Sequence, residues 1–216
     1  MNYEAMDILF ELLGTISFAF AGSMVGIRKS MDLLGVVVLG LVTALGGGCI
    51  RDLVLGNIPP QMFRDSKLAI YSLISSLILF AIFYVKFDFI NSRTMKKIEK
   101  IMLLFDAIGL GAFTVTGINT AISMGYESKF LLIFVGMVTG VGGGGVIRDV
   151  MAGNIPVIFR EEIYAVASFL GALAYIMFFK TDINKNFLMI ITFSIVVIIR
   201  LISLKCNFHL PKIKKI

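Results

Sequence analysis

The sequence predicts an all-α polytopic membrane protein of seven transmembrane helices, two inverted three-helix repeats followed by a seventh helix. Three observations predict it. Hydrophobic residues make up 58% of the 216-residue chain and charged ones only 16%, with a mean hydropathy of +0.94, far from the soluble average. The charges sit in clumps between long apolar runs. A glycine-rich motif also occurs twice: Gly46–Pro59 and Gly143–Pro156 share ten of fourteen residues.

The expected spans, each near the roughly 17 to 25 residues that the hydrocarbon core demands, are 8–26, 34–57, 68–86, 101–123, 130–153, 162–179 and 187–204. The first follows an acidic N-terminus with no small-residue cleavage site, so it reads as a membrane helix rather than a signal peptide. The second and fifth carry Gly-Gly-Gly, then Arg-Asp, then a Gly-Asn-Ile-Pro exit.

The similarity extends to the first and fourth spans, where Phe10–Gly22 matches Phe105–Gly117, with an acid at Glu11 and at Asp106. The offset is 95 there and 97 at the glycine motif, which assigns two extra residues to the intervening loop. Three spans per copy is odd, so the second copy enters the membrane from the opposite face. The expected divisions are 1–90 for the first repeat, 91–182 for the inverted repeat, and 183–216 for the seventh helix and a basic tail. Such inverted repeats are common in transport proteins, with the pathway at the interface of the copies and interrupted helices near the midplane.

Glycine in a helix interior costs about 1 kcal/mol relative to alanine, so Gly46, Gly47, Gly48 and Gly143, Gly144, Gly145 read as pore or hinge positions. The competing explanation is close helix packing through small residues. If the runs line a path, Gly47→Leu or Gly144→Leu should block flux in a protein that still folds. Arg51, Asp52, Arg148 and Asp149 continue into apolar sequence, which places them inside the membrane or in a cavity, since a central charge costs about 2.5 to 3.5 kcal/mol on insertion scales. Neighbours on a helix do not face each other, so Arg51 and Asp52 are poor partners. Matching depths predict Glu11 with Arg51 and Asp106 with Arg148 instead.

Fourteen of the twenty Lys and Arg residues fall on the side that holds the C-terminus, Arg148 and Arg200 among them. By the positive-inside rule the N-terminus is outside and the C-terminus cytoplasmic, in the plasma (inner) membrane. The same topology accounts for the pI of 9.4 without nucleic acid. Cys49, Cys206 and the lone His209 suggest no disulfide framework, metal site or catalytic triad, and no cofactor is implied. The tail HLPKIKKI is a candidate for anionic headgroups, so membrane lipid is an expected partner and a bound lipid a possible ligand.

Spans in a three-plus-three-plus-one order, with triple glycines and Gly-Gly-Gly-x-x-Arg-Asp in the second and fifth, resemble the trimeric intracellular cation (TRIC) channel family in its prokaryotic branch. The resemblance implies a homotrimer with a pore in each subunit. It implies conduction of monovalent cations, chiefly K+ with Na+ also to be considered, between kinked second and fifth helices. The Lys-Glu-Val motif of the animal members' fourth helix is absent here. Related bacterial proteins are assigned to glycine transport, so a carrier of a small zwitterion remains the alternative to a channel. An enzyme is not expected.

Overall fold

The structure, a computed structural model, describes residues 3–85, 92–160, 163–181 and 183–206; the tail that carries His209 lies outside them. Every element among these residues is helical. In order they are α1 (Tyr3–Arg28), α2 (Leu33–Val54), α3 (Gln61–Arg64), α4 (Lys67–Val85), α5 (Ser92–Ser123), α6 (Lys129–Met137), a π-helical segment (Val138–Val146), α7 (Ile147–Met151), α8 (Val157–Arg160), α9 (Ile163–Phe178) and α10 (Lys185–Cys206). Six helical spans among the described residues are long and apolar enough to cross a membrane: α1, α2, α4, Lys97–Ser123 of α5, Lys129–Met151 and α10. The sixth expected span, 162–179, is the shorter, apolar α9 (Ile163–Phe178), and the seventh, 187–204, is α10. This is a polytopic, all-helical membrane fold.

Local chemistry sets the helix ends. Asp32 starts α2 by accepting the Gly35 amide at 2.7 Å, and the Ser128 side chain accepts the Leu131 amide at the start of α6. The Arg-Asp segments both stop at a glycine with positive φ, Gly56 at 72° and Gly153 at 67°. A side chain there would be strained, which is why glycine ends helices so often.

Contacts sort the loops onto two ends of the bundle. Lys185 lies over the Tyr3 ring at 5.2 Å, and the Tyr126 hydroxyl donates to the Leu55 carbonyl at 2.9 Å. The starts of α1 and α10, the end of α2 and the α5–α6 turn therefore share one end, called here the first end. At the second end Arg28 meets Glu99 at 3.3 Å, joining the end of α1 to the start of α5. Helices α1 and α5 form the centre, with 61% and 72% of their apolar windows buried; α4, at 22%, is peripheral.

The two glycine runs cross at that centre, and two expectations change there. The second span is not broken, because α2 runs as one α-helix through Gly46, Gly47 and Gly48 to Val54. The fifth stays helical but widens into π-helix over Val138–Val146. The extra two residues also do not both belong to the loop. Thr43 and Thr139 each donate back to the carbonyl four residues earlier, Leu39 at 2.5 Å and Val135 at 2.6 Å, and each packs on a glycine of the matched helix, Gly22 and Gly117. Their offset is 96, intermediate between 95 and 97. One residue therefore entered the loop and one entered the helix between Thr139 and Gly144. A π turn is how a helix absorbs a single inserted residue, and such turns are frequent at functional sites.

Candidate functional site

The crossing is packed reciprocally. A Cβ on Gly47 would collide with the Thr139 carbonyl oxygen, and one on Gly144 with the Thr43 carbonyl oxygen. The rings of Phe18 and Phe113 meet edge to face, 5.2 Å apart, and cover Gly109 and Gly14 respectively. The middle glycines thus permit backbone contact, the packing alternative, and a leucine there would break the crossing rather than leave a folded, blocked protein. The third glycines differ. A Cβ on Gly48 would meet nothing nearer than the Arg51 guanidinium at 3.7 Å, and one on Gly145 only the Tyr164 hydroxyl at 3.2 Å and Arg148 at 3.8 Å. Gly46 is half-buried, and Gly143 lies within the π-helical segment.

A buried charge cluster lies beyond each third glycine. At the first end Arg51, 3% exposed, is 3.7 Å from Glu11 and donates from Nε to Asp52 at 2.9 Å. At the second, Arg148 and Asp106 meet at 2.6 Å, both almost fully buried, while Arg148 Nε donates to Asp149 at 2.9 Å. The cross-helix contacts expected from depth are present, and the expectation against the adjacent pairs is overturned in both copies. The reason is the anchoring of each aspartate at its helix end. The second carboxylate oxygen accepts a backbone amide of the return loop, Gln61 to Asp52 at 2.7 Å and Val157 to Asp149 at 2.9 Å. That turns the carboxylate sideways, where the long arginine side chain curls back to it. Each aspartate thereby ties the arginine to the loop, a charge-assisted arrangement stronger than a neutral hydrogen bond.

Residues outside the expected set complete the site. Asp7, one turn before Glu11, accepts from Asn119 at 2.7 Å, and Asn119 in turn accepts from the Tyr175 hydroxyl at 2.6 Å. Thr15, one turn after Glu11, is buried. The four-residue spacing of Asp7, Glu11 and Thr15 was the available signal, a polar stripe on an apolar helix. Arg200 of α10, counted above as a terminal charge, is instead fully buried with its guanidinium 4.9 Å from the centre of the buried Tyr164 ring. An arginine inside a span was the signal there. Among the described residues no cluster of three or more metal-ligating side chains occurs.

The profile of a family described as glycine transporter matches this chain over residues 8–84 and over residues 103–180. The chain belongs to that family. Other sequences related to this glycine transporter family chain include the UPF0126 membrane protein of Deinococcus radiodurans, 38% identical over 164 residues, covering 75% of this chain and 71% of the relative. The UPF0126 inner membrane protein YadS of Escherichia coli K12 is 32% identical over 203 residues, covering 93% of each. Among solved structures, the TRIC trimeric intracellular cation channel orthologue from Rhodobacter sphaeroides superposes with a TM-score of 0.83 at 32% identity, covering 94% of this chain and 98% of that one. A TRIC cation channel studied for its conductance gives 0.82 at 34% identity, covering 100% and 98%. The family is thus TRIC-like, in its prokaryotic branch.

Proposed function

We propose that the chain is a channel for monovalent cations, potassium among them, with a path in each subunit between α1, α2, α5 and the π-helical segment. The observation that carries this reading is the pair of buried Arg–acid clusters, one at each end of the glycine crossing, the first beside the open face of Gly48 and the second beside Gly145, which faces the buried Tyr164 hydroxyl. Buried charge in a membrane is expensive and faces a bundle interior or water, so one cluster at each end of the crossing suits a polar route through the protein. The Phe18–Phe113 contact then stands as the constriction that opening must part. The two matched profile segments, of nearly equal length, support an inverted-repeat origin with boundaries near residues 90 and 182. The solved relatives support a homotrimer, and the charge bias supports an inner-membrane protein with its N-terminus outside. A channel role leaves no enzymatic step for these residues to perform.

The test is ion flux in proteoliposomes. Potassium current should be voltage-driven and weakly saturable, and Gly48→Leu should lower it at least about tenfold while the protein stays folded, because a leucine there fills the open face. Unchanged current in this variant would put the path elsewhere. The family description favours a second reading, a glycine carrier. That reading requires saturable glycine uptake and counterflow in the same vesicles.

A further inference from the structure

We propose that the cavity at the first end of the crossing binds one monovalent cation through the Glu11 carboxylate and the Thr15 hydroxyl, a site that rests on the cation-path reading above. The two side chains stand one turn apart on α1, on the same face. Both line a cavity of about 20 Å³ with Gly48, Arg51 and Asp52. That is room for about one water-sized occupant, which a single monovalent ion without its own waters matches. The Thr15 hydroxyl is 1% exposed and has no hydrogen-bond partner, although helical threonines usually return their proton to the preceding turn, as Thr43 and Thr139 do here. A buried polar atom without a partner is uncommon and calls for one.

The second end differs. Asp106 holds Arg148 at 2.6 Å, whereas Glu11 stands 3.7 Å from Arg51. One Asp106 oxygen and the Tyr164 hydroxyl there are also buried without a partner, but Arg148 and Arg200 are their neighbours, which suits no further cation. Around Arg51 lie three carboxylates, Asp7, Glu11 and Asp52, against one guanidinium. Around Arg148 lie Asp106 and Asp149, and Arg200 brings a second positive charge to the same Tyr164 ring. The first cluster thus holds three acids to one arginine; the second holds two acids to two arginines. At the position of Thr15 the second copy has Leu110, which is fully buried in a core with Tyr164 and Val196. The ligand is thus an oxygen-preferring cation at one end only. It is monovalent because one carboxylate already shared with an arginine falls short of the six to eight oxygens, several of them anionic, that a calcium ion takes.

Thallium(I) nitrate serves as the probe on the purified full-length protein in detergent, at constant ionic strength with N-methylglucamine nitrate. Equilibrium dialysis should show saturable binding near about one ion per chain, with a matching rise in Tm. Thr15→Val should weaken it about tenfold, the effect of losing one contact to a charge. Thr15→Ser should retain it, and Glu11→Gln should remove it. Absence of saturable binding in the parent, or equal binding in the parent and Thr15→Val, overturns the site. Saturable binding that follows this pattern in a protein without cation flux upholds the site and sinks the channel reading. Flux without saturable binding does the reverse.

Discussion

Asp106 and Arg148 differ from Glu11 and Arg51 in ways that set how much each pair matters. The first pair meets at 2.6 Å with both side chains at most 3% exposed; the second meets at 3.7 Å with Glu11 20% exposed. Breaking a buried pair strands a charge and costs about 3 to 5 kcal/mol, while a partly wet, long pair is worth about 1 kcal/mol or less. Asp106→Asn and Arg148→Gln should therefore each lower the Tm strongly, and their combination should lower it by much less than the sum. Glu11→Gln should shift it little. Additive losses at Asp106 and Arg148, measured by thermal melts in detergent, would reject the coupling. The glycines divide in the same manner: Gly47→Ala should destabilise by about 2 kcal/mol or more through the clash with the Thr139 carbonyl, while Gly48→Ala, with open space, should stay within about 1 kcal/mol. The cross-helix pairs were legible in the sequence because depth follows from position along a span. The division of labour among the glycines was not, because three identical residues in a row carry no sign of which one faces the other helix.

At the scale of the element, α2 and its counterpart Lys129–Met151 carry the same chemistry on different helices. The counterpart holds one more residue between its threonine and its middle glycine, and the π-helical segment Val138–Val146 takes it up. Deleting Gly142 should therefore return this segment to α-helix, as in α2, and keep Arg148 facing Asp106. Deleting Ala44 from α2 has no such reserve. Each residue turns an α-helix by about 100°, so everything beyond Ala44 would rotate and carry Arg51 away from Glu11. The expected result is a Gly142 deletion that melts within a few degrees of the parent and an Ala44 deletion that fails to fold. Equal damage from both would show that the π turn is not an absorbed insertion. Sequence periodicity places both helices, yet it cannot place the insertion, because an offset between two motifs does not say whether the added residue lies in loop or helix.

For the molecule as a whole, the order of spans was legible from apolar length, since hydrocarbon thickness leaves few alternatives, and α9, Ile163–Phe178, lies within a residue of the expected 162–179 at each end. Arg200 escaped notice as a buried residue because it sits near the end of an apolar run, where headgroup arginines are usual; its burial depends on Tyr164, far away in sequence. Moving Arg200 out of the terminal charges leaves the bias toward the C-terminal side intact, so the orientation argument holds. The two native cysteines offer a direct test of it. Cys206 is exposed at the end of α10, at the opposite end of the bundle from Tyr3 and Lys185. Cys49 is half-buried and lines the cavity at the first end beside Arg51. A membrane-impermeant thiol reagent should modify Cys206 rapidly in inverted vesicles and leave it untouched in right-side-out ones. Cys49 should show the opposite preference, at a slower rate set by access to the cavity. Cys206→Ser and Cys49→Ser assign each signal. Both thiols reacting from one face would contradict the two-ended arrangement, and an exchange of their preferences would reverse the orientation read from the charges.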